Sequence, residues 1–479
     1  MSTSSNKSFL RLGIIAGAVL LAIVIGVVTD TPLILQILKA LGLVLAGITI
    51  LVTIHELGHH LTAKAFGMRV ETFSIGFPPK IFSFTKGGTE YQIGATPLGG
   101  YVKISGIIDE SFDTEHLKQA PEPYEFRAKP VWQRLIVMVG GVVMNILLGI
   151  FIFSMIKFTY GEVRLPMSEV KYGVDVVESS LGHLIGFRTG DKILSFKGQT
   201  YDYFEDLQNP NNLINDDAHY DIYREGVGEM VIRVPSGIQD QFSNDSLLIQ
   251  LFTPDMPAKI VVDTSATSPA YAAGMRDGDL IVAIDSFPIA LFSQIRQYTE
   301  NKGGQTIRVT YERKGEQRTV PVTLTQDAKL MVGKDAEHFF KLDTLKFGFF
   351  GAFVPGSRDA FGFLNTNVKG FKQVATGNAS ASKSFMGPIQ IAKRYLEIFE
   401  RGGLRGFLFL TGALSMILAF VNILPIPALD GGHVMFLLYE MVTRREPSTK
   451  VRIVAQQIGM VFILGLMLLI IFNDVWQLF

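Results

Sequence analysis

The sequence predicts a membrane α-helical bundle of four to five spans with a pair of β-rich domains inserted into it. Three observations predict this: long uncharged apolar runs, a polar central stretch between them, and an internal repeat inside that stretch. The runs Leu12–Val28, Leu135–Ile156, Gly406–Leu429 and Ile453–Phe472 contain no charged residue. Each can cross a hydrocarbon layer of about 30 Å. A fifth, Leu33–Ile54, contains Lys39 and is otherwise nearly all apolar. Hydrophobic residues make up 48% of the 479, and the mean hydropathy is +0.30, too apolar for an ordinary soluble enzyme. With 44 basic and 44 acidic residues, nothing in the charge points to nucleic acid as a partner. The chain has no cysteine, which removes disulfides and thiolate metal sites and leaves His, Asp and Glu as possible ligands.

Lys7 and Arg11, ahead of the first run, resemble the basic start of a signal peptide. Val27, Val28, Thr29 and Asp30 offer no small-x-small cleavage site, so the run is expected to stay as a helix. With five spans, three basic clusters fall on one side of the bilayer: Lys7 and Arg11; Lys64, Arg69, Arg127, Lys129 and Arg134; and Arg444, Arg445, Lys450 and Arg452. The positive-inside bias makes that side cytoplasmic. The Thr29–Pro32 turn, the central region and Asn473–Phe479 are then outside. Arg401 and Arg405 run against the bias, but they border a long translocated region where it is weak.

The central region, about Tyr160–Gly403, is polar and repeats itself. Ser180-Leu-Gly-His-Leu-Ile-Gly186-Phe-Arg-Thr-Gly190-Asp191 matches Ser268-Pro-Ala-Tyr-Ala-Ala-Gly274-Met-Arg-Asp-Gly278-Asp279 at an offset of 88 residues without a gap, a period close to one small domain. Each Gly-Asp is followed by alternating apolar residues and a short turn, the pattern of a strand and hairpin. The glycines suit a tight turn with positive φ. The pattern resembles tandem PDZ domains of the bacterial protease type, although Leu181-Gly182 replaces Pro269-Ala270 in the first copy. Such domains bind extended peptides by adding a strand to a sheet edge; two β domains with a structural role only are the alternative.

The strongest chemical signal is His55-Glu56-Leu57-Gly58-His59, at the end of the Leu33–Ile54 run. Positions i and i+4 share a helix face, so both imidazoles can reach one zinc ion. Glu56 lies beside them and can accept the proton of an attacking water. His60 points elsewhere on the helix. A site of this kind needs a third ligand from another helix. The best candidate is Asp430, in Asn422-Ile-Leu-Pro425-Ile-Pro427-Ala-Leu429-Asp430-Gly431-Gly432-His433. Prolines there free backbone groups that lipid would not tolerate outside a protein-lined cavity. Both ligand-bearing spans run from outside to inside, so His55, His59 and Asp430 are expected at one membrane depth.

Together the HExxH at a span end, the NxxPxPxLDGG segment and the inserted tandem resemble the site-2 protease family of intramembrane zinc metalloproteases, in particular its bacterial regulator-of-sigma-E protease branch. The resemblance covers nearly the whole chain from about Leu33. It implies Zn2+ held by His55, His59 and Asp430, Glu56 as general base, and a role for Asn422 in holding the substrate strand. Gly94-Ala-Thr-Pro97-Leu-Gly99-Gly100-Tyr101-Val102-Lys103 is similar to the family's membrane-associated β-hairpin, which makes Gly99, Gly100 and Tyr101 candidates for pairing with an unwound substrate. Ser384-Phe-Met-Gly387-Pro388-Ile389 is similar to the segment leading into the Asp430 span. Two features depart from the family: Gly141-Val142 stands before Asn145 where it has Gly-Pro, and Leu12–Val28 is an addition.

The resemblance further implies hydrolysis of peptide bonds in or near the transmembrane segments of single-span membrane proteins, with anti-sigma factors and remnant signal peptides as substrates. It implies a multi-pass protein of the bacterial inner membrane, its active site near the cytoplasmic side and its PDZ pair periplasmic. The expected division is 1–32, an extra span and outer turn; 33–66, the HExxH span; 67–130, a membrane-associated β region; 131–160, the middle span; 161–255 and 256–328, the PDZ domains; 329–405, a connector; 406–440, the NxxPxPxLDGG span; and 441–479, a cytoplasmic turn and last span. The rival readings are a non-catalytic membrane scaffold that binds peptides through its PDZ pair, which need not keep Glu56 and Asp430, and a metal-dependent transporter, which would show repeated span architecture.

Overall fold

The computed structural model describes residues 32–107, 120–178, 180–208, 217–235, 251–265, 267–376 and 386–476. The first apolar run, Leu12–Val28, lies outside them, as do Ser384 and Phe385. The chain divides into two compact units, one on either side of Gly161 and Lys346 in sequence and the other spanning Glu162–Leu345.

The first unit is helical. Its elements are α1 (Pro32–Ala65), a hairpin of β1 (Val70–Lys86) and β2 (Thr89–Ile104), α2 (Val131–Tyr160), α3 (Phe353–Ala375), α4 (Pro388–Ile423), α5 (Asp430–Thr443) and α6 (Thr449–Trp476). Among the described residues, four helices are long and apolar enough to cross a membrane: α1, α2, α4 and α6. With the β-rich insert, this is the make-up of a membrane protein carrying an inserted β unit.

Small residues let α1 and α2 meet backbone to backbone. A Cβ on Gly58 would lie 2.2 Å from the Gly140 carbonyl oxygen, and one on Gly140 would lie 2.8 Å from that of Gly58. Below this crossing, Ala63, Met68, Val70, Ile104, Phe126, Val137, Met138 and Leu437 form a core that fixes the hairpin to the helix ends. Residues 72–75 of β1 pair with Glu90–Ile93 on one side and with Gly100–Lys103 on the other, so the end of β2 is an outer strand.

Two features refine the sequence reading. The apolar run Gly406–Leu429 is not one helix: α4 stops at Ile423, a turn carries Pro425 and Pro427, and α5 starts at Asp430. Proline lacks the N–H that would continue the helical ladder. Of the expected connector, residues up to Leu345 belong to the second unit, with Val332–Lys334 and Asp343–Leu345 paired as strands, and the later described part is mainly α3 and the first arm of α4. At Gly403 (φ 54°) α4 reverses direction, so Tyr395 Oη and Thr411 Oγ1, 16 residues apart, come within 3.2 Å. A straight helix would separate them by about 24 Å. At the start of α4 the Asp474 carboxylate of α6 accepts from the N–H groups of Gly387, Ile389 and Gln390 at 3.1, 3.0 and 3.3 Å. These are helix N-terminal donors that have no partner within their own helix.

Among the described residues the second unit contains five antiparallel sheets, the two larger being β3–β4–β5 (Lys192–Phe196, His219–Arg224, Gly228–Arg233) and β7–β6–β8–β9, where β6 is Leu280–Ile284, β7 Phe287–Pro288, β8 Thr306–Arg313 and β9 Glu316–Thr323. The first core is built on Phe187, Tyr220 and Phe252, the second on Ile281, Ile284 and Val309. The copies repeat in side-chain detail. Arg224 grips Asp191 through Nε and Nη2 at 2.7 and 2.8 Å and donates to Gly186 O at 2.9 Å. Arg313 holds Asp279 and Gly274 O in the same way, at 2.6, 2.7 and 2.9 Å. Ser180 and Ser268 cap the short helices that follow them. Gly182 departs from Ala270 because a Cβ there would lie 1.6 Å from the Leu251 carbonyl oxygen.

Candidate metal centre

α1 places His55 and His59 one turn apart, both 7% exposed. Their Nε2 atoms are 3.2 Å from each other. Asp430, the first residue of α5, brings Oδ2 to 3.1 Å from His55 Nε2 and 3.4 Å from His59 Nε2. The proline-bearing turn makes this possible, because it ends α4 and restarts the chain as a helix whose first side chain faces α1. Among the described residues, these three form a group able to hold a metal ion, with their ligand atoms all within 4.8 Å of one another.

The donor set fits zinc. Two imidazole nitrogens and one carboxylate oxygen leave a fourth tetrahedral position open, as catalytic zinc sites do. His59 Nδ1 lies 2.8 Å from the Val137 carbonyl oxygen; a carbonyl only accepts, so Nδ1 carries the proton and Nε2 is left as a lone pair. On the α2 side, a Cβ on Gly141 would stand 2.5 Å from His59 Nε2 and 2.6 Å from His55 Cε1. The site therefore needs glycine at this position, next to the Val142 that replaces proline.

The other predicted residues gather around this centre. Asn422 Nδ2 is 3.3 Å from His55 Nε2. Glu56 is half-buried, and a Cβ on Gly100 would lie 3.7 Å from its Cγ. Gly99 packs against the Phe77 ring, and Tyr101 receives a hydrogen bond from Gln92 at 2.6 Å; both belong to the outer part of β2. His60 sits apart, edge-on to Phe73 and 3.2 Å from Tyr91 Oη. His433 lines a cavity with Arg134 and Glu440 instead of joining the ligand group.

Sequence reasoning named Asn145 only as the residue that Gly141-Val142 precedes and gave it no role; it is fully buried on α2, and its Nδ2 is 3.1 Å from His55 Nδ1. Its signal was present: it is an amide within the otherwise apolar run Leu135–Ile156, and polar groups inside membrane segments mark functional sites by default. The Val137 carbonyl and Gly141 carry no such signal.

Comparison with known proteins agrees with this geometry. The model of peptidase family M50 matches residues 43–466. The regulator of sigma-E protease of Salmonella typhimurium is 27% identical, over 92% of this chain and 99% of its own length. The zinc metalloprotease RasP of Geobacillus kaustophilus is also 27% identical, over 90% of this chain and 96% of its own. With a family model spanning most of its length, the chain belongs to peptidase family M50, the site-2 family of zinc metalloproteases.

Proposed function

We propose that this chain is an intramembrane zinc endopeptidase that cuts single-span membrane proteins in or near their transmembrane segments, with His55, His59 and Asp430 as zinc ligands and Glu56 as general base. The observation that carries this reading is the convergence of two imidazole nitrogens and a carboxylate oxygen, 3.1–3.4 Å apart, at the end of an apolar helix.

Zinc, when bound, supplies a Lewis acid that polarises the scissile carbonyl and lowers the pKa of water. The chain's own residues supply the rest. Glu56 takes the proton of the attacking water and delivers it to the leaving amine. A helical substrate hides its carbonyls in backbone hydrogen bonds, so it must unwind before attack. The outer strand Gly100–Lys103 offers replacement partners through strand addition, and the proximity of Gly100 to Glu56 supports a peptide lying there. The Asn422 amide, next to the ligands, is suited to holding that peptide. The apolar side chains exposed on β1, such as Ile81, Phe82 and Phe84, support contact of the hairpin with lipid.

We read residues 161–255 and 256–328 as a PDZ pair, supported by the repeated strands, caps and Arg–Asp clamps, and the remaining divisions as in the sequence analysis. The basic clusters support an inner-membrane protein with its zinc site near the cytoplasmic side and the pair in the periplasm. Anti-sigma factors are the proposed substrates, as the resemblance to the regulator-of-sigma-E branch implies.

The test is to mix the purified chain with a single-span model substrate. Cleavage is expected within the transmembrane segment, to stop with chelator and to return with zinc. Cleavage that persists in a chelated, metal-free sample would refute the reading.

A further inference from the structure

We propose that Asn145 is a positioning residue for the metal site, its amide oxygen accepting the Nδ1–H of His55 so that His55 Nε2 faces the metal as a lone pair. This inference rests on His55 being a zinc ligand.

The two histidines are held differently. His59 gives its Nδ1 proton to a backbone carbonyl, that of Val137 at 2.8 Å, which fixes its tautomer. His55 has no carbonyl at that position; the Asn145 amide is there, 3.1 Å from Nδ1. An amide differs from a carbonyl in presenting either a donor or an acceptor. With Nδ2 toward the ring, as in this structure, the amide donates to a bare Nδ1. The imidazole proton is then on Nε2, where no metal can bind. With the amide turned by half a rotation, Oδ1 accepts from Nδ1–H and Nε2 is free to ligate. The Oδ1 atom is buried and makes no hydrogen bond in the first orientation, so the turn breaks no bond of that oxygen.

The backbone of Asn145 is also anchored. Its carbonyl accepts from Ser415 Oγ of α4 at 2.7 Å, and Asn145 and Ser415 are both completely buried. One residue therefore touches the ligand-bearing α1 through its side chain and holds α4, the helix that leads to Asp430, through its main chain. Partners that fix the far nitrogen of a ligating imidazole commonly change metal affinity 10–100-fold when removed.

The experiment measures zinc affinity of the purified full chain by competition with a chelator of known affinity, independently of proteolysis. Asn145→Leu, similar in size but without an acceptor, is expected to weaken zinc binding about 10–100-fold. Asn145→Asp keeps an oxygen for Nδ1–H and should bind zinc within about threefold of the parent chain, since the interaction is preserved. Thermal unfolding of the metal-free proteins checks that each variant is folded. If the Leu variant does not fold, Asn145→Asp decides alone: affinity kept supports the proposal, and a tenfold loss overturns it. Parental affinity in a folded Leu variant, or equal losses in both, also overturns it. Failure of the underlying reading looks different, because His55→Ala would then leave zinc affinity of the parent chain unchanged.

Discussion

Gly141 is held as glycine by His59: a Cβ at that position would stand 2.5 Å from the His59 Nε2 atom. The middle helix thus shapes the site without giving it a ligand. Gly141→Ala is expected to displace one or both imidazoles and to weaken zinc binding by at least about tenfold. Metal content after dialysis, read beside circular dichroism to confirm retained helix, checks this.

Glu56→Gln should abolish cleavage while zinc stays bound, because the ligands remain and only the proton acceptor is lost. General-base removal commonly costs about 10²–10⁴-fold in rate. Metal analysis beside a single-turnover cleavage assay checks both halves, and parental turnover by the variant would remove Glu56 from the mechanism.

Asp430→Ala should lower zinc occupancy and activity together. His433→Ala should leave zinc content unchanged, since His433 lies with Arg134 and Glu440. Full zinc content in the Asp430 variant would require another third ligand.

In the insert, Asp279 is 1% exposed at its side chain and its partner Arg313 is 26% exposed. Asp279→Asn should destabilise the second core by about 2–3 kcal/mol, below the range for a fully buried pair because Arg313 is partly hydrated. Faster proteolysis within Glu162–Leu345, with zinc retained, is the expected readout.

Glu162 pairs directly with Leu345, so the ends of the insert lie side by side and a short linker can replace it. Without the insert, zinc should remain, and substrates with bulky outer domains should become cleavable where the intact chain rejects them. A deletion variant that still rejects them while cutting trimmed substrates normally would exclude a gating role.

Much of the site was legible because its signals are local. His55, Glu56 and His59 share one helical face, and Asp430 follows a proline-bearing turn at the same expected depth. The tight contacts among Gly58, Gly140 and Gly141 were not legible, since a glycine in an apolar run looks the same whether or not another backbone lies against it. Asn145 was visible as an amide, but its partner lies 90 residues away in sequence. The helices within 353–402 were hidden for another reason. Gly356, Gly362, Gly370 and Gly402 weaken helix propensity there, and packing of α3 on Ile150, Phe153, Ala413 and Met416 outweighs it.

The grip of Asp474 on the start of α4 has a counterpart at the other end of α6. A Cβ on Gly459 would fall 1.5 Å from the carbonyl oxygen of Pro427, so α6 also presses against the turn that delivers Asp430. The last helix contributes nothing to the ligand set, yet it is bolted to both ends of the helix that leads there. Displacing α6 would uncap the start of α4 and remove the packing against the turn that precedes Asp430.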